Sequence, residues 1–410
     1  MPVSPTWYGA NVSHRRRRAP QQKYRKISQV ELMDISQPAQ LMQHLLKFMK
    51  QQGGSDMFIT AGFGPAIKLN GAMTPITKNP LSAEESMALV QSLMNERQRN
   101  DFNTSHECNF AISIKDVGRF RVSAFIQQAK AGMVIRTIHT DIPDIDQLDV
   151  PSQLKEIVMN KRGLVIMVGA TGSGKSTTLA AMIGHRNANS HGHIITIEDP
   201  VEFVHPHMNC IVTQREVGTD TADWQVALKN TLRQAPDVIL IGEIRDRETM
   251  DHALAFAETG HLCLATLHAN NANQAIDRIV NFFPEERRAQ VLMDLSLNLK
   301  ALISQRLVSR KSGSGRCAAV EILLNSPLIS DLIFKGDVHQ IKEVMKKSRE
   351  LGMQTFDQAL FDLVEDDKIS HEEALRHADS VNDLRLSLKL HGRAAQTQDV
   401  RTTIASLDIV

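Results

Sequence analysis

The chain has 410 residues, room for two to three domains, and sets 47 basic residues against 46 acidic ones. That balance gives no global field for nucleic acid or an anionic membrane, and two Trp with two Tyr leave little to stack on exposed bases. The four cysteines (Cys108, Cys210, Cys263, Cys317) contain no C-x-x-C pair, so neither a zinc ribbon nor a redox motif can be drawn. They read as buried thiols in a reducing compartment.

Residues 1–32 carry Arg15 to Arg18 among Pro, Gln and Ser, with no apolar segment behind them. They read as a disordered leader rather than a signal sequence, with Met33 as a candidate start. Leu41, Leu45, Leu46, Phe48 and Met49 then predict a short amphipathic helix that ends at Gly53-Gly54. Strands are expected at Met57 to Ala61 and Ala66 to Leu69, with Asn70-Gly71 as a hairpin turn. A second helix opens on a Ser82–Glu85 capping box and runs from Leu81 to about Asn100. Alternating stretches at Asn109 to Ile114, Gly118 to Phe125 and Met133 to Ile138 complete a small, mostly antiparallel α+β domain over 33–140.

The acidic, proline-containing segment 141–152 reads as a linker. Beyond it, apolar runs alternate with helices: Gly163 to Val168, His193 to Glu198, Val238 to Gly242, His261 to Leu267, and another near Ala318 to Leu324. This is an α/β pattern with a parallel, doubly wound sheet over 153–390, helical from Ser326 onward and with a Ser370–Glu373 capping box. Residues 391–410 show no period and read as a disordered tail. No apolar run approaches the roughly 18 residues that cross a bilayer, so no transmembrane segment is expected.

Four constellations carry chemistry. Gly169-Ala170-Thr171-Gly172-Ser173-Gly174-Lys175-Ser176 fits G-x-x-x-x-G-K-[ST] between a strand and a helix, and Thr177 comes next. Loop amides, the helix N-terminus and Lys175 suit the phosphates of ATP, and the Ser176 hydroxyl suits Mg²⁺. Glu198, before Asp199-Pro200, ends a strand where open α/β sheets place their ligand crevice. It reads equally as a carboxylate that orients water or metal and as part of a polar turn before proline. Val238 to Glu243 is a Walker B-like strand, expected beside the P-loop, whose Glu243 polarises the attacking water. Glycine stands at 242, where many families carry aspartate. His268 ends the next strand, where a histidine contacts the γ-phosphate, and His261 reads as a structural hydrogen-bonding residue.

Taken together, Gly169 to Thr177, Thr196-Ile197-Glu198-Asp199-Pro200-Val201-Glu202-Phe203, Gln234 to Asp246 and Thr259 to His268 resemble the Walker A, Asp box, Walker B and His box of the secretion and pilus ATPase superfamily. Gly352 to Leu360 and the short N-terminal domain resemble the PilT/PilU family of type IV pilus retraction ATPases. The resemblance implies a homohexamer of protomers, each with a PAS-like N-domain and a RecA-like ATPase domain, binding ATP between neighbours. It implies arginine fingers at Arg121 and Arg136, which by themselves read as exposed strand arginines. It also implies pilus retraction and twitching motility, in the cytoplasm at the inner membrane of the pilus base, with an inner-membrane platform protein as partner. The helix Ser326 to Phe334 lacks the arginine of the PilT-type retraction motif. That departure points to the PilU-type role, beside a PilT-like retraction ATPase, or to a nucleotide-binding accessory subunit.

Overall fold

The computed structural model describes residues 37–69, 72–138 and 142–392. The leader at 1–32, the Asn70-Gly71 turn, and the tail from 393 onward lie outside the described residues. The chain divides into two compact units: residues up to Glu107 with Ala124–Val134, and Cys108–Ser123 with the chain from Ile135 onward.

The first helix, Pro38–Gln51, buries Met42, Leu45, Leu46 and Met49 along one stripe. A six-stranded sheet is built from β1 (Asp56–Thr60), β2 (Ala66–Leu69), β3 (Ala72–Pro75), β4 (Glu107–Ile114), β5 (Gly118–Gln127) and β6 (Lys130–Ile138). Its order is β3-β2-β1-β6-β5-β4. The Ser82 capping box forms, with Glu85 N–H donating to Ser82 Oγ at 3.1 Å and Ser82 N–H to Glu85 Oε2 at 2.7 Å. The single helix expected to reach Asn100 is in fact two, Ala83–Ser92 and Glu96–Ser105. Asn95 opens the second with a reciprocal Gln98 box, both bonds at 2.9 Å, and so breaks the first.

The second unit holds a seven-stranded sheet of β7 (Gly163–Val168), β8 (Gly192–Glu198), β9 (Cys210–Glu216), β10 (Val238–Ile241), β11 (Leu262–Leu267), β12 (Leu299–Ser309) and β13 (Arg316–Leu324). The order is β13-β12-β7-β11-β10-β8-β9, parallel throughout except for the β12–β13 pair. The fold is therefore α/β with a mixed, mainly parallel sheet. β7, β10 and β11 are buried at every position, as uninterrupted apolar runs covered on both faces require. Along β7, Leu164, Ile166 and Val168 face one core layer, while Val165 and Met167 pack with Leu179, Met182 and Ile183 of helix Lys175–Asn189. Two strands, β9 and β12, have no counterpart among those expected from the sequence. The Walker B-like strand β10 is separated from β7 by β11. The Ser370–Glu373 box forms by half, through Glu373 N–H to Ser370 Oγ at 3.2 Å. Cys210, Cys263 and Cys317 are free thiols and buried, and Cys108 is half-buried.

Candidate nucleotide site

Because β7, β11, β10 and β8 run parallel, their C-terminal ends open on one edge, and the residues just beyond each strand converge there. The loop after β7, Glu198 at the end of β8, Glu243 after β10 and His268 after β11 border one cavity, with Thr171, Gly172, Lys175 and Ser176 from the loop. Gly169, Gly172 and Gly174 take φ of 155°, 79° and 88°. At Gly169 a Cβ would stand 2.4 Å from Ser173 Oγ and 2.7 Å from the Gln305 carbonyl, so the turn admits no side chain. Lys175 is buried, and its ammonium donates to the carbonyls of Gly169 at 2.8 Å and Ala170 at 3.0 Å. Burial pulls its pKa below the ordinary lysine value, against the attraction of Glu243 and Glu202. Ala170 and Thr171 also border an adjoining groove with His268, whereas Thr177 is the third residue of the helix and lies outside the cavity.

Glu243 is held from both sides. Arg245 Nε donates to its Oε2 at 2.8 Å, and His268 Nε2 stands 3.2 Å from its Oε1. The histidine's pKa is lowered, first by burial and then by Lys175, with Glu243 opposing. Glu198 accepts from Thr196 Oγ1 at 2.7 Å and Gln214 Nε2 at 3.3 Å, yet burial still raises its pKa above the usual carboxylate range. His261 lies apart, bonded to Thr259 Oγ1 at 3.0 Å and near the Phe256 carbonyl at 3.2 Å. Arg121 and Arg136 are exposed on β5 and β6, and neither lines this cavity.

Residues that sequence reading passes over buttress the site. Gln305 on β12 donates from Nε2 to the Ser173 carbonyl at 2.9 Å and accepts from Thr178 Oγ1 at 2.8 Å, clamping the loop to helix Lys175–Asn189. Within the second unit, Arg119 pairs with the buried Glu216, which also accepts the Val201 N–H at 3.1 Å behind the Asp199-Pro200 segment. A polar residue inside an apolar strand is the signal for Gln305, but its strand is itself unmarked in the sequence. The residues present fit a nucleoside triphosphate with Mg²⁺. They offer glycines at positive φ, a buried ammonium, carboxylates across from it, and a buried Ser173 hydroxyl with no hydrogen-bond partner among the described residues.

The family model for type II/IV secretion system proteins matches residues 33–360. The chain belongs to that family. It is 64% identical over 346 residues to the type IV pilus ATPase PilU of Pseudomonas aeruginosa, covering 84% of this chain and 91% of that one. It is 44% identical over 334 residues to the type IV pilus retraction ATPase PilT of the same organism, covering 82% and 97%. Among solved structures, the pilus retraction motor PilT with bound ADP matches at a TM-score of 0.77 and 38% identity, over 83% of this chain and 98% of that one.

Proposed function

We propose that this protein is a hexameric, PilU-like ATPase that hydrolyses ATP to drive or assist type IV pilus retraction. The observation that carries the reading is the single cavity bordered by Lys175, Ser176, Glu198, Glu243 and His268, in a chain alike to PilU and PilT over more than four-fifths of its length. Gly169 to Gly174, Lys175 and Thr177 bind the nucleotide at its phosphates, and the Ser176 hydroxyl would hold Mg²⁺, which would supply neutralising charge at the phosphate oxygens. Glu243 orients the attacking water and accepts its proton. His268 contacts the γ-phosphate and fixes the carboxylate. Glu198, kept from ionising easily by burial, supports the water network from the other side. Arg121 and Arg136 of a neighbouring protomer neutralise charge on the γ-phosphate as it departs.

In this reading residues 33–140 form the PAS-like domain, 141–152 the linker and 153–390 the RecA-like ATPase domain. The protein works at the cytoplasmic face of the inner membrane, with a PilT-like ATPase and the pilus platform protein. Among the described residues no helix is long and apolar enough to cross a membrane. One observation favours a second reading, a nucleotide-binding accessory subunit: helix Pro327–Lys335 has no arginine and exposes Leu328 and Phe334. Steady-state ATP hydrolysis by the purified protein, with its mass in solution, separates the two. The motor reading expects turnover by a hexamer that falls by about two to three orders of magnitude in Glu243→Gln while nucleotide still binds. A nucleotide-bound hexamer without turnover establishes the accessory role, and turnover unchanged in Glu243→Gln removes that residue from the chemistry.

A further inference from the structure

Three successive residues of β12 reach three parts of the second unit. Ser304 donates to the buried Glu321 carboxylate at 3.0 Å, and the same Glu321 oxygen accepts the N–H of Ala272 at 2.7 Å, at the start of helix Ala272–Asn281. Gln305 turns the other way, to the P-loop. Arg306 spreads its guanidinium across two regions. Nη2 donates to the Asn270 carbonyl at 3.2 Å and to Asp379 Oδ1 at 2.7 Å, and Nη1 donates to the His377 carbonyl at 2.7 Å. The guanidinium carbon lies 3.9 Å from the centroid of the Phe356 ring. Asp379 is fixed in turn by Lys342 at 2.9 Å, while Asp357 accepts the N–H groups of Asp379 and Ser380 at 2.8 and 3.1 Å.

Asn270 lies two residues beyond His268, on the short run between the cavity and the helix that Glu321 holds. The planar fork is thus bonded on both sides, to the Asn270 carbonyl near His268 and to His377 and Asp379 in the C-terminal part. We propose that Arg306 is a positioning residue that couples the loop after His268 to the C-terminal helices His371–His377 and Val381–His391. Nucleotide binding is then felt at 371–391. The proposal rests on the nucleotide-site reading above.

Hydrogen exchange of the full-length protein, with Mg²⁺ and a non-hydrolysable ATP analogue, tests it. In the wild-type chain the analogue slows exchange at 169–180, which reports binding, and also at 371–391. Arg306→Lys keeps a positive charge for Asp379 but lacks the fork. Protection at 169–180 persists in this variant, the response at 371–391 falls several-fold, and kcat drops about tenfold with KM within about twofold. Asp379→Asn, which leaves the shape intact, gives the same uncoupling. A wild-type chain whose 371–391 segment ignores the analogue overturns the proposal, as does an undiminished response there in both variants. Absence of protection at 169–180 defeats the nucleotide-site reading itself and the proposal with it.

Discussion

At the residue scale, Glu243 and Glu321 show how one side chain type is put to two uses. Glu243 faces the cavity between a guanidinium and an imidazole, which hold its two carboxylate oxygens in place. Glu321 is buried in the sheet, and its pKa is raised to about 7, first by burial, with the Ala272 N–H opposing. A carboxyl whose folded value exceeds its ordinary 4.5 binds its proton more tightly when folded. Its ionisation therefore costs stability as pH rises from about 4.5 to about 7, by about 3 kcal/mol in all. Glu321→Gln retains an oxygen for Ala272 and Ser304 but cannot titrate. Its melting temperature should fall less than the wild type's between about pH 5 and pH 8, by several degrees. Equal falls in the two proteins would show that Glu321 is not the group responsible. The facing set is legible in the sequence, since Lys175, Ser176, Glu198, Glu243 and His268 occupy motif positions at strand ends, and the structure brings them to one cavity. Glu321, Gln305 and Arg306 are illegible there because their partners lie far along the chain, and no local spacing marks a polar residue that bonds across a sheet.

At the scale of elements, the glycine before Glu243 sits where the packing is tight. β10 and β8 are parallel neighbours, with Ile241 beside Ile197, and the Gly242 N–H donates to the Ile197 carbonyl at 2.8 Å. A Cβ on residue 242 would stand 3.1 Å from that carbonyl oxygen and 3.2 Å from Glu198 Cα, both backbone atoms that cannot swing aside. The aspartate common in other families would require the β8 backbone to give by a few tenths of an ångström. Gly242→Ala should push the Glu198 and Glu243 ends apart, lowering kcat about tenfold and stability by about 1–2 kcal/mol, with ATP affinity changed only a few-fold. Wild-type kcat in this variant would show that the strands relax around the methyl group. The same strands explain which elements can be read ahead of the structure. β7, β10 and β11 are continuous apolar runs and announce themselves. β9 is a half-polar edge strand, and β12 begins directly after helix Glu285–Asn298 with no glycine or proline between them, so its boundary carries no punctuation. The break at Asn95 is hidden for the opposite reason, an N-cap set inside a stretch that otherwise reads as one helix.

For the whole molecule, Lys175 and Arg245 are the lysine and arginine side chains that line the cavity among the described residues. Lys175 is buried at the base of the loop and Arg245 is committed to Glu243, with Asp199 3.7 Å away. Arg121 and Arg136 are exposed, lie outside this cavity, and sit at the positions that the family resemblance assigns to fingers. In the proposed hexamer each protomer would lend these arginines to the next one's nucleotide. The arrangement makes a prediction about mixtures that no single-chain site would make. Arg121→Ala or Arg136→Ala protomers alone should lose most turnover, as should Lys175→Ala protomers. In a one-to-one mixed hexamer, about a quarter of the interfaces join an intact Lys175 to an intact arginine pair if neighbours assort at random, so part of the activity should return. Native mass measurement must show that mixed rings have formed. Given such rings, a mixture no more active than its parts means that the arginines act within their own chain or not at all, whereas recovered turnover places each active site between two subunits.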